Sequence, residues 1–193
     1  MDMHNKALQS MQADIKMVKY NPQLNVSDTY SGLTKYVPKS SKQKMLMRLD
    51  WQQPAVEQIS VIGDNYELYK PSIKTVYWGS VGKTQTSASA GGALSFMNMS
   101  KEQLKANYDV VYLGEELIAG STRTWHLQLT PLRPTSYKSA ELWVDVDGMP
   151  RQGRIVEKND DTTTILLSNI KKNLTLSASI FKLTYGSVKR LKG

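Results

Sequence analysis

The most informative absence in this 193-residue chain is cysteine, which does not occur at all. Without thiols the chain has no disulfides, no thiolate metal ligands, no cysteine nucleophile and no cysteine that could carry a lipid anchor. Histidine is nearly as rare, and neither His4 nor His126 has a second histidine at ligand spacing, which argues against a zinc site. No run of about 18 or more apolar residues exists, so the sequence predicts no membrane-spanning helix.

Motifs of catalysis are missing as well. The sequence contains no G-x-S-x-G, P-loop or G-x-G-x-x-G pattern, and Gly91-Gly92 is too short to cradle a phosphate. Asp145 and Asp147 resemble a catalytic carboxylate pair, but directly before Gly148 they are more typical of a turn and of solvent-facing positions. These absences favour a binding protein over an enzyme, and we expect neither a metal nor a cofactor.

The charge of the chain is one-sided, with a formal net charge of +8. Solvated surface is the plain interpretation of the basic residues, and attraction to anionic lipid headgroups or to an acidic partner is the functional one. Aromatic residues make up only 8% of the chain and do not interleave with the basic stretches, so we expect no nucleic-acid partner. The basic stretches comprise Lys35, Lys39, Lys42, Lys44 and Arg48, and then Lys189, Arg190 and Lys192.

Short strands punctuated by turn signals fill most of the chain. We expect a short helix over residues 3–11, a strand from there to Tyr20, and a final strand that includes Phe181 and Leu183. Hairpin signals such as Asp145 to Pro150 separate the other strands, and this regular punctuation favours an antiparallel barrel or sandwich. The other strands are expected at about 26–37, 43–52, 56–62, 66–70, 73–79, 107–118, 121–130, 138–147, 151–158 and 161–170.

The middle of the chain has a different character. The stretch 87–92 is small and flexible, and it is a candidate hinge, although an ordinary surface loop fits it equally well. The apolar residues Leu94, Phe96 and Met97 follow. Ser100 with Glu102 predicts the start of a helix, so we expect two short helices here. Because no internal repeat and no linker is visible, we expect a single domain over residues 1–193.

One strand carries its apolar residues on a single face. Met45, Met47, Leu49 and Trp51 form one face, and the mostly polar opposite face comprises Lys44, Leu46, Arg48 and Asp50, which is the pattern of a half-buried strand. Methionine and tryptophan make this face soft and wide. It therefore suits either a plain core or a surface that closes over a flexible apolar ligand.

A succession of short motifs runs nearly from end to end of the chain. In chain order they are Leu49-Asp50-Trp51-Gln52-Gln53-Pro54, residues 59–64, 66–69, 94–97, 125–131, 142–145, 148–150 and 164–173, and Phe181. Together they resemble the LolA family, the periplasmic carriers of outer-membrane lipoproteins. The wider superfamily also includes an outer-membrane lipoprotein acceptor, a periplasmic stress-sensor domain and mycobacterial lipid carriers.

The resemblance implies a mainly β (α+β) fold, in which a strongly curved antiparallel sheet forms an incomplete barrel and short helices cover its open mouth. It implies a monomeric carrier that binds acyl chains of lipoproteins or another lipid and shuttles them toward the outer membrane. The implied partners are an inner-membrane ABC transporter that loads the carrier and an outer-membrane acceptor that unloads it. A lipid-sensing or lipoprotein-sensing interaction module on the same fold is the alternative.

The N-terminus has no charged-then-apolar leader with a cleavage site. The sequence alone therefore leaves a cytoplasmic protein and one with a trimmed leader as alternatives, and the resemblance favours the periplasm with the leader removed. The chain also departs from the family, because Gln43 and Met47 stand where the best-studied carriers have an arginine and an inward-facing phenylalanine.

Strand alternation combined with the resemblance predicts the residues that line the acyl-binding space. A plain core filled by its own neighbours is the competing interpretation for each of them. Phe96 and Met97 are expected to form the apolar contact of the lid, and Arg123 is expected at the rim, where it meets a polar headgroup. The predicted lining comprises Met45, Met47, Leu49, Trp51, Ile59, Val61, Trp125, Leu127, Leu129, Leu142, Val144 and Val146.

Overall fold

The computed structural model describes residues 8–80, 99 and 101–193, and within them the chain is mainly β. Twelve strands and one α-helix lie in these residues, with two short 3₁₀ turns at Pro71–Ile73 and Ala178–Phe181. The elements are β1 Met11–Asn21, β2 Val26–Val37, β3 Leu46–Gln53, β4 Glu57–Ile62, β5 Asn65–Lys70, β6 Thr75–Ser80, α1 Lys101–Asn107, β7 Tyr108–Ile118, β8 Thr122–Pro131, β9 Tyr137–Asp145, β10 Pro150–Glu157, β11 Thr162–Lys172 and β12 Lys189–Lys192.

All twelve strands belong to one sheet, in the order β12-β6-β5-β4-β3-β2-β1-β11-β10-β9-β8-β7. Neighbours along the chain pair antiparallel from β2 to β6 and from β7 to β11, while β12 pairs parallel with β6. Strands β7 and β12 lie at the two ends of this order, so the sheet of the described residues is not closed into a barrel. The prediction of a mainly β, incompletely closed antiparallel sheet is confirmed.

Two local predictions at the ends of the chain were wrong. Residues 8–10 are not helical and Met11 begins β1, because the alternation of Ala13, Ile15 and Met17 governs this segment; residues 3–7 of the expected helix lie outside the described residues. Phe181 ends a 3₁₀ turn instead of lying in a strand, and the last strand begins only at Lys189.

The contacts of the chain fall into two compact units. In the part of the chain that the structure describes, the first unit comprises residues 16–29, 99 and 101–168, and the second comprises residues 8–15, 30–80 and 169–193. Strands β1, β2 and β11 contribute to both units. The expectation of a single domain therefore stays a prediction.

The first unit has its apolar core on one face of β8 to β11. Leu129 lies opposite Ala140, Ala140 opposite Ile155, and Leu142 opposite Gly153, which in turn faces Ile165. Each of these apolar side chains is buried. This layer follows from the period-two alternation of the strands, because partners in register point to the same side of the sheet.

The second unit is stabilised by a C-terminal segment that crosses one face of β3 to β6. The hydroxyl of Ser60 donates to the carbonyl of Phe181, whose ring is fully buried. Arg48 donates to the carbonyl of Lys182 at 3.1 Å and pairs with Asp50 at 2.8 Å. Phe181 is thus an anchor of the segment, which explains why an apolar residue here does not continue a strand.

The turn between β9 and β10 depends on a buried carboxylate. Asp145 accepts hydrogen bonds from the backbone N–H groups of Asp147 and Met149, at 3.0 and 2.8 Å, and from Arg151 Nε at 2.6 Å. Asp147 is exposed, as expected, but Asp145 is not, so the expectation of a solvent-facing Asp145 was wrong. Its role is to hold the hairpin closed.

None of the helices in the described residues is long and apolar enough to cross a membrane.

A carboxylate pair at the turn between β10 and β11 gives a test of this fold. Burial, with a smaller contribution from the charge of Asp161, raises the pKa of Glu157 above its ordinary value. Glu157 Oε1 and Asp161 Oδ1 are both buried and accept no hydrogen bond. A raised pKa means that the folded state favours the protonated carboxyl, so its contribution to stability is present in acid and is lost as the pH rises through the raised pKa.

We therefore expect Glu157→Gln to raise the melting temperature at pH 7 by about 1–2 °C, the scale of a surface substitution in a chain of this length. The gain should shrink at pH 4, where the wild-type carboxyl is protonated as well. Thermal unfolding followed by circular dichroism at the two pH values checks this. A variant that is less stable than the wild type at pH 7 would contradict the assignment.

Candidate functional site

An apolar cleft lies on the face of the sheet formed by β7, β8 and β9, entirely within the first unit. Tyr112 from β7, Trp125 and Leu127 from β8, and Val144 from β9 line a space of about 380 Å³. Val144 is buried and forms the floor. The side chains of Trp125 and Tyr112 are 40% and 57% exposed, so the cleft is open to solvent along its rings.

Strand register explains why these four residues meet. Tyr112 lies opposite Leu127, and Leu127 opposite Leu142, while Trp125 lies opposite Val144. Cross-strand partners have Cβ atoms about 5 Å apart on the same face, so one row of the sheet carries Tyr112 and Leu127, and the next carries Trp125 and Val144. The cleft is therefore a direct product of alternation on three adjacent strands.

A β-bulge in β7 determines which residues of β7 lie on the cleft side of the sheet. The pairing shifts between Tyr112 and Gly114, so that Leu113 is the extra residue and Gly114 lies opposite His126. Gly114 has a φ of +129°, a conformation that side-chain-bearing residues rarely adopt. After the bulge, Glu115 lies opposite Trp125 and Leu117 lies opposite Arg123, which places both on the cleft side.

The rim of the cleft carries one exposed ion pair. Arg123 Nε lies 3.7 Å from Glu115 Oε2, and both side chains are more than half exposed. An ion pair of this kind contributes little to stability, because water screens it. Arg123 can therefore exchange Glu115 for an anionic group of a ligand at low cost. Arg123 shares the strand face of Trp125, and its contact with a headgroup at the rim stays a prediction.

The opposite face of the same strands is held by a polar cluster. The His126 ring stacks on Trp143 with 4.1 Å between centroids, and its two nitrogens lie 3.1 Å from Glu116 Oε2 and 2.9 Å from Glu141 Oε2. Trp143 Nε1 donates to the same Glu116 oxygen at 2.8 Å, and the Arg154 guanidinium lies over the Trp143 ring. The cluster ties β7, β8, β9 and β10 together directly behind the cleft.

Other members of the predicted lining in the first unit lie elsewhere. Leu129 and Leu142 share the cleft face but are fully buried in the core. Val146 does not continue β9, which ends at Asp145, and its side chain lies exposed in the following turn. The prediction that Val146 shares a strand face with Leu142 and Val144 was therefore wrong, because β9 ends two residues earlier than expected.

The predicted lining residues of β3 and β4 form an apolar face of the second unit. Met47 lies opposite Val61 and Leu49 opposite Ile59. Leu49, Trp51 and Val61 are buried, whereas Met47, Ile59 and Met45, which precedes β3, are half-buried. Tyr36 lies opposite Met47, and burial raises the pKa of its hydroxyl. Phe96 and Met97, the expected lid contacts, and the candidate hinge at 87–92 lie outside the described residues.

Tyr112 is the one lining residue that the sequence did not predict. The strand that contains Tyr112 was expected. Whether Tyr112 lies on the same face as Trp125, however, depends on the bulge at Gly114. A glycine inside a run of strand-forming residues was the signal that could have indicated it. The described residues contain no group of three or more His, Asp or Glu side chains arranged to hold a metal ion.

Comparisons with known proteins bear on the whole chain. A family model described as "Outer membrane lipoprotein carrier protein LolA" matches residues 42–184. No curated protein sequence matches the chain.

Solved structures with the same fold include two proteins of nearly the same length. An uncharacterized conserved protein from Thermus thermophilus is similar with a TM-score of 0.64 at 10% identity, over 98% of this chain and 94% of that chain. A DUF1329 family protein from Desulfovibrio piger is similar with a TM-score of 0.54 at 17% identity, over 93% and 92%.

A third similar structure is the Pseudomonas aeruginosa MucA/MucB complex, with a TM-score of 0.55 at 13% identity, over 95% of this chain and 59% of that chain. At such identities these likenesses show the fold alone.

The bulge provides a test of the cleft wall. Gly114→Ala should lower the free energy of unfolding by about 1–3 kcal/mol, because a side chain forces the backbone out of its positive φ. No atom lies within 4 Å of the added Cβ, so a steric clash does not explain the loss. Denaturant unfolding measures it.

Gly186→Ala is the matched control, since its added Cβ also meets open space and its φ is not in the positive region. We expect it to change stability by at most about 0.5 kcal/mol. Equal stability of the two variants would contradict a backbone requirement for glycine at the bulge.

Proposed function

The chain belongs to the LolA family, and from that premise we propose that it carries the acyl chains of lipoproteins, or of another lipid, in its apolar cleft and shuttles them toward the outer membrane. The observation that carries the proposal is the open cleft lined by Tyr112, Trp125, Leu127 and Val144. Every lining residue is apolar or aromatic, and a charged pair, Arg123 with Glu115, stands at the rim. This is the chemistry of a site for hydrocarbon with a polar end.

The size of the cleft fits one acyl chain. A methylene group occupies roughly the share of volume of a water molecule in the liquid, about 30 Å³. The cleft volume of about 380 Å³ therefore accepts roughly a dozen methylenes. Each methylene that is fully removed from water is worth about 0.8 kcal/mol, and because the cleft is open along the rings of Trp125 and Tyr112, a bound chain gains this only for the part that it buries.

A carrier must also release its cargo, and the half-exposed rings support that step. Trp125 and Tyr112 present wide apolar surfaces on the open side of the cleft, while the buried Val144 forms its floor. A chain on such a surface leaves part of itself accessible to an acceptor. A fully enclosed cavity would hold the chain more strongly and release it more slowly.

The proposal places the protein in the periplasm. Loading by an inner-membrane ABC transporter and unloading by an outer-membrane acceptor complete the cycle, and the carrier itself needs neither a metal nor a catalytic group. The rim pair Arg123–Glu115 would then face the polar part of the cargo, where Arg123 can bind an anionic headgroup.

A sensor is the alternative function. The fold similarity to MucB, a protein whose structure has been solved together with MucA, favours an interaction module as the second candidate. Such a module would bind the same lipid in the same cleft but would change its affinity for a protein partner instead of delivering cargo.

Trp125→Asp tests the cleft. We expect it to weaken the binding of an environment-sensitive fluorescent fatty acid by tenfold or more, because it removes a large apolar contact of about 1.5–3 kcal/mol and adds a charge. Trp125 is already 40% exposed, so the variant should fold. Fluorescence titration measures the affinity.

Trp78→Asp is the matched control, since Trp78 is 41% exposed and lies on β6 in the second unit. Its affinity should equal that of the wild type. Equal loss in both variants, or no binding by the wild type, would contradict the proposal. Transfer of the bound fatty acid to acceptor vesicles then separates the candidates, because a carrier delivers its ligand and a sensor retains it.

A further inference from the structure

Strand β7 has two properties that the acyl site alone does not require. It is the terminal strand of the sheet order, and among the described residues its only strand partner is β8. It is also eleven residues long, whereas β12 at the other end has four. A long terminal strand is a template for pairing with another extended segment, and proteins usually protect such edges.

Several apolar side chains in the middle of β7 are exposed, and they lie on both faces of the sheet. Val111, opposite Gln128, is 44% exposed, and on the cleft side Leu117 is 63% exposed. Leu113, the extra residue of the bulge, is exposed as well. The bulge divides the strand into two regular stretches, 108–112 and 114–118, each long enough to pair with about five residues of a partner.

The charge of β7 is of one sign. Asp109, Glu115 and Glu116 lie in the strand, and no lysine or arginine does. Protective lysines, which often prevent pairing at a sheet edge, are therefore missing from this strand. An incoming segment with basic side chains would be attracted to it, whereas an acidic one would be repelled.

The same charges argue against a second copy as the occupant. Two β7 strands paired edge to edge would bring six carboxylates together. Strand β12 is basic and could attract β7 of another copy, but its four residues offer only a short ladder. The occupant that fits length and charge is an extended peptide with alternating apolar and basic residues.

The position of the cleft indicates which peptide this is. Tyr112 belongs to both features, since it lies in β7 and lines the cleft. We propose that β7 binds, by strand pairing, the extended polypeptide segment that directly adjoins the acyl chain of a lipidated protein, so that cleft and edge together recognise a basic lipopeptide. This inference rests on the proposed acyl binding, and it adds the polypeptide part of the cargo.

Backbone pairing has a signature that distinguishes it from other contacts. An extended segment pairs with a strand through every second N–H group, while the alternate N–H groups point away. The probe is an N-palmitoylated octapeptide amide of alternating lysine and valine. Two derivatives carry N-methyl groups on the odd or on the even peptide nitrogens, which blocks one set of donors at a time.

Calorimetry should show the palmitoylated peptide binding about tenfold more tightly than palmitate. One N-methylated derivative should fall back to the affinity of palmitate, and the other should keep the gain. Two derivatives that both bind like the parent peptide would overturn the inference. If the wild-type protein does not bind palmitate, the proposed function is overturned. If it binds palmitate, and binds the palmitoylated peptide no more tightly, the inference alone is overturned.

Charge reversal on the protein gives the second measurement. The variant Asp109→Lys should weaken binding of the palmitoylated peptide about threefold at low salt. Palmitate binding should stay unchanged, because Asp109 lies on the face opposite the cleft, and this also shows that the variant is folded. The matched control, Asp28→Lys, reverses one exposed carboxylate outside β7 and should have no effect. The loss of affinity for the palmitoylated peptide, relative to the wild type, should be smaller at 0.5 M salt, because exposed charges are then screened.

Equal weakening in Asp109→Lys and Asp28→Lys would overturn the inference, because it would show a general effect of net charge. Sedimentation of the protein without ligand closes the remaining alternative. We expect a monomer, and self-association that Asp109→Lys changes would assign the edge to a second copy instead.

Discussion

The pairing register of β7, β8 and β9 is the constraint on which the apolar cleft depends. Each cross-strand pair places two side chains on the same face of the sheet. Trp125 and Val144 form one such pair, and Leu127 and Leu142 form the next, so all four lie on one face. A slip of one residue would turn His126 and Trp143 toward the cleft and expose the present lining on the other face. The chemistry of both faces therefore opposes such a slip.

The two faces of these strands have different roles: one holds the strands together, and the other carries the open cleft. On the back, His126 and Trp143 stack and share Glu116, while Glu141 contacts both His126 and Arg154. Directional bonds and a buried ring hold four strands in place there. The front can consequently leave Trp125 and Tyr112 partly exposed without loss of the strand arrangement. An apolar surface that is kept open needs a scaffold of this kind, because hydrophobic burial at the same place would otherwise close it.

Much of the fold follows from periodicity and turn residues in the sequence. Alternation placed Trp125, Leu127 and Leu129 on one face, and the register confirms it. Alternation does not say how far each residue is covered: Leu129 is fully buried and Trp125 is not, because coverage depends on non-local packing. Val146 and Asp145 show a second limit, since a buried carboxylate with three donors ended the strand where the apolar pattern continued.

The face of Tyr112 and the backbone conformation of Phe181 could not be predicted from the sequence. The face of Tyr112 is set by one inserted residue, Leu113, and a single sequence does not say on which strand such a bulge is absorbed. Phe181 has the composition of a strand residue, but its backbone carbonyl is bound by Ser60, 121 positions earlier in the chain. Contacts between residues so far apart are a property of the fold and leave no local pattern.

The excess of basic residues does not lie in the unit that contains the cleft. The described part of the first unit has ten basic and eleven acidic residues, and that of the second has thirteen basic and five acidic. The cleft thus lies in the nearly neutral unit, and the excess of positive charge that the sequence shows belongs to the other. In the proposed carrier, apolar contacts would supply the affinity for hydrocarbon, so the lysines would not be needed to retain the cargo. Their effect would fall on the rate of encounter with anionic surfaces, which depends on salt, while retention of the acyl chain would not.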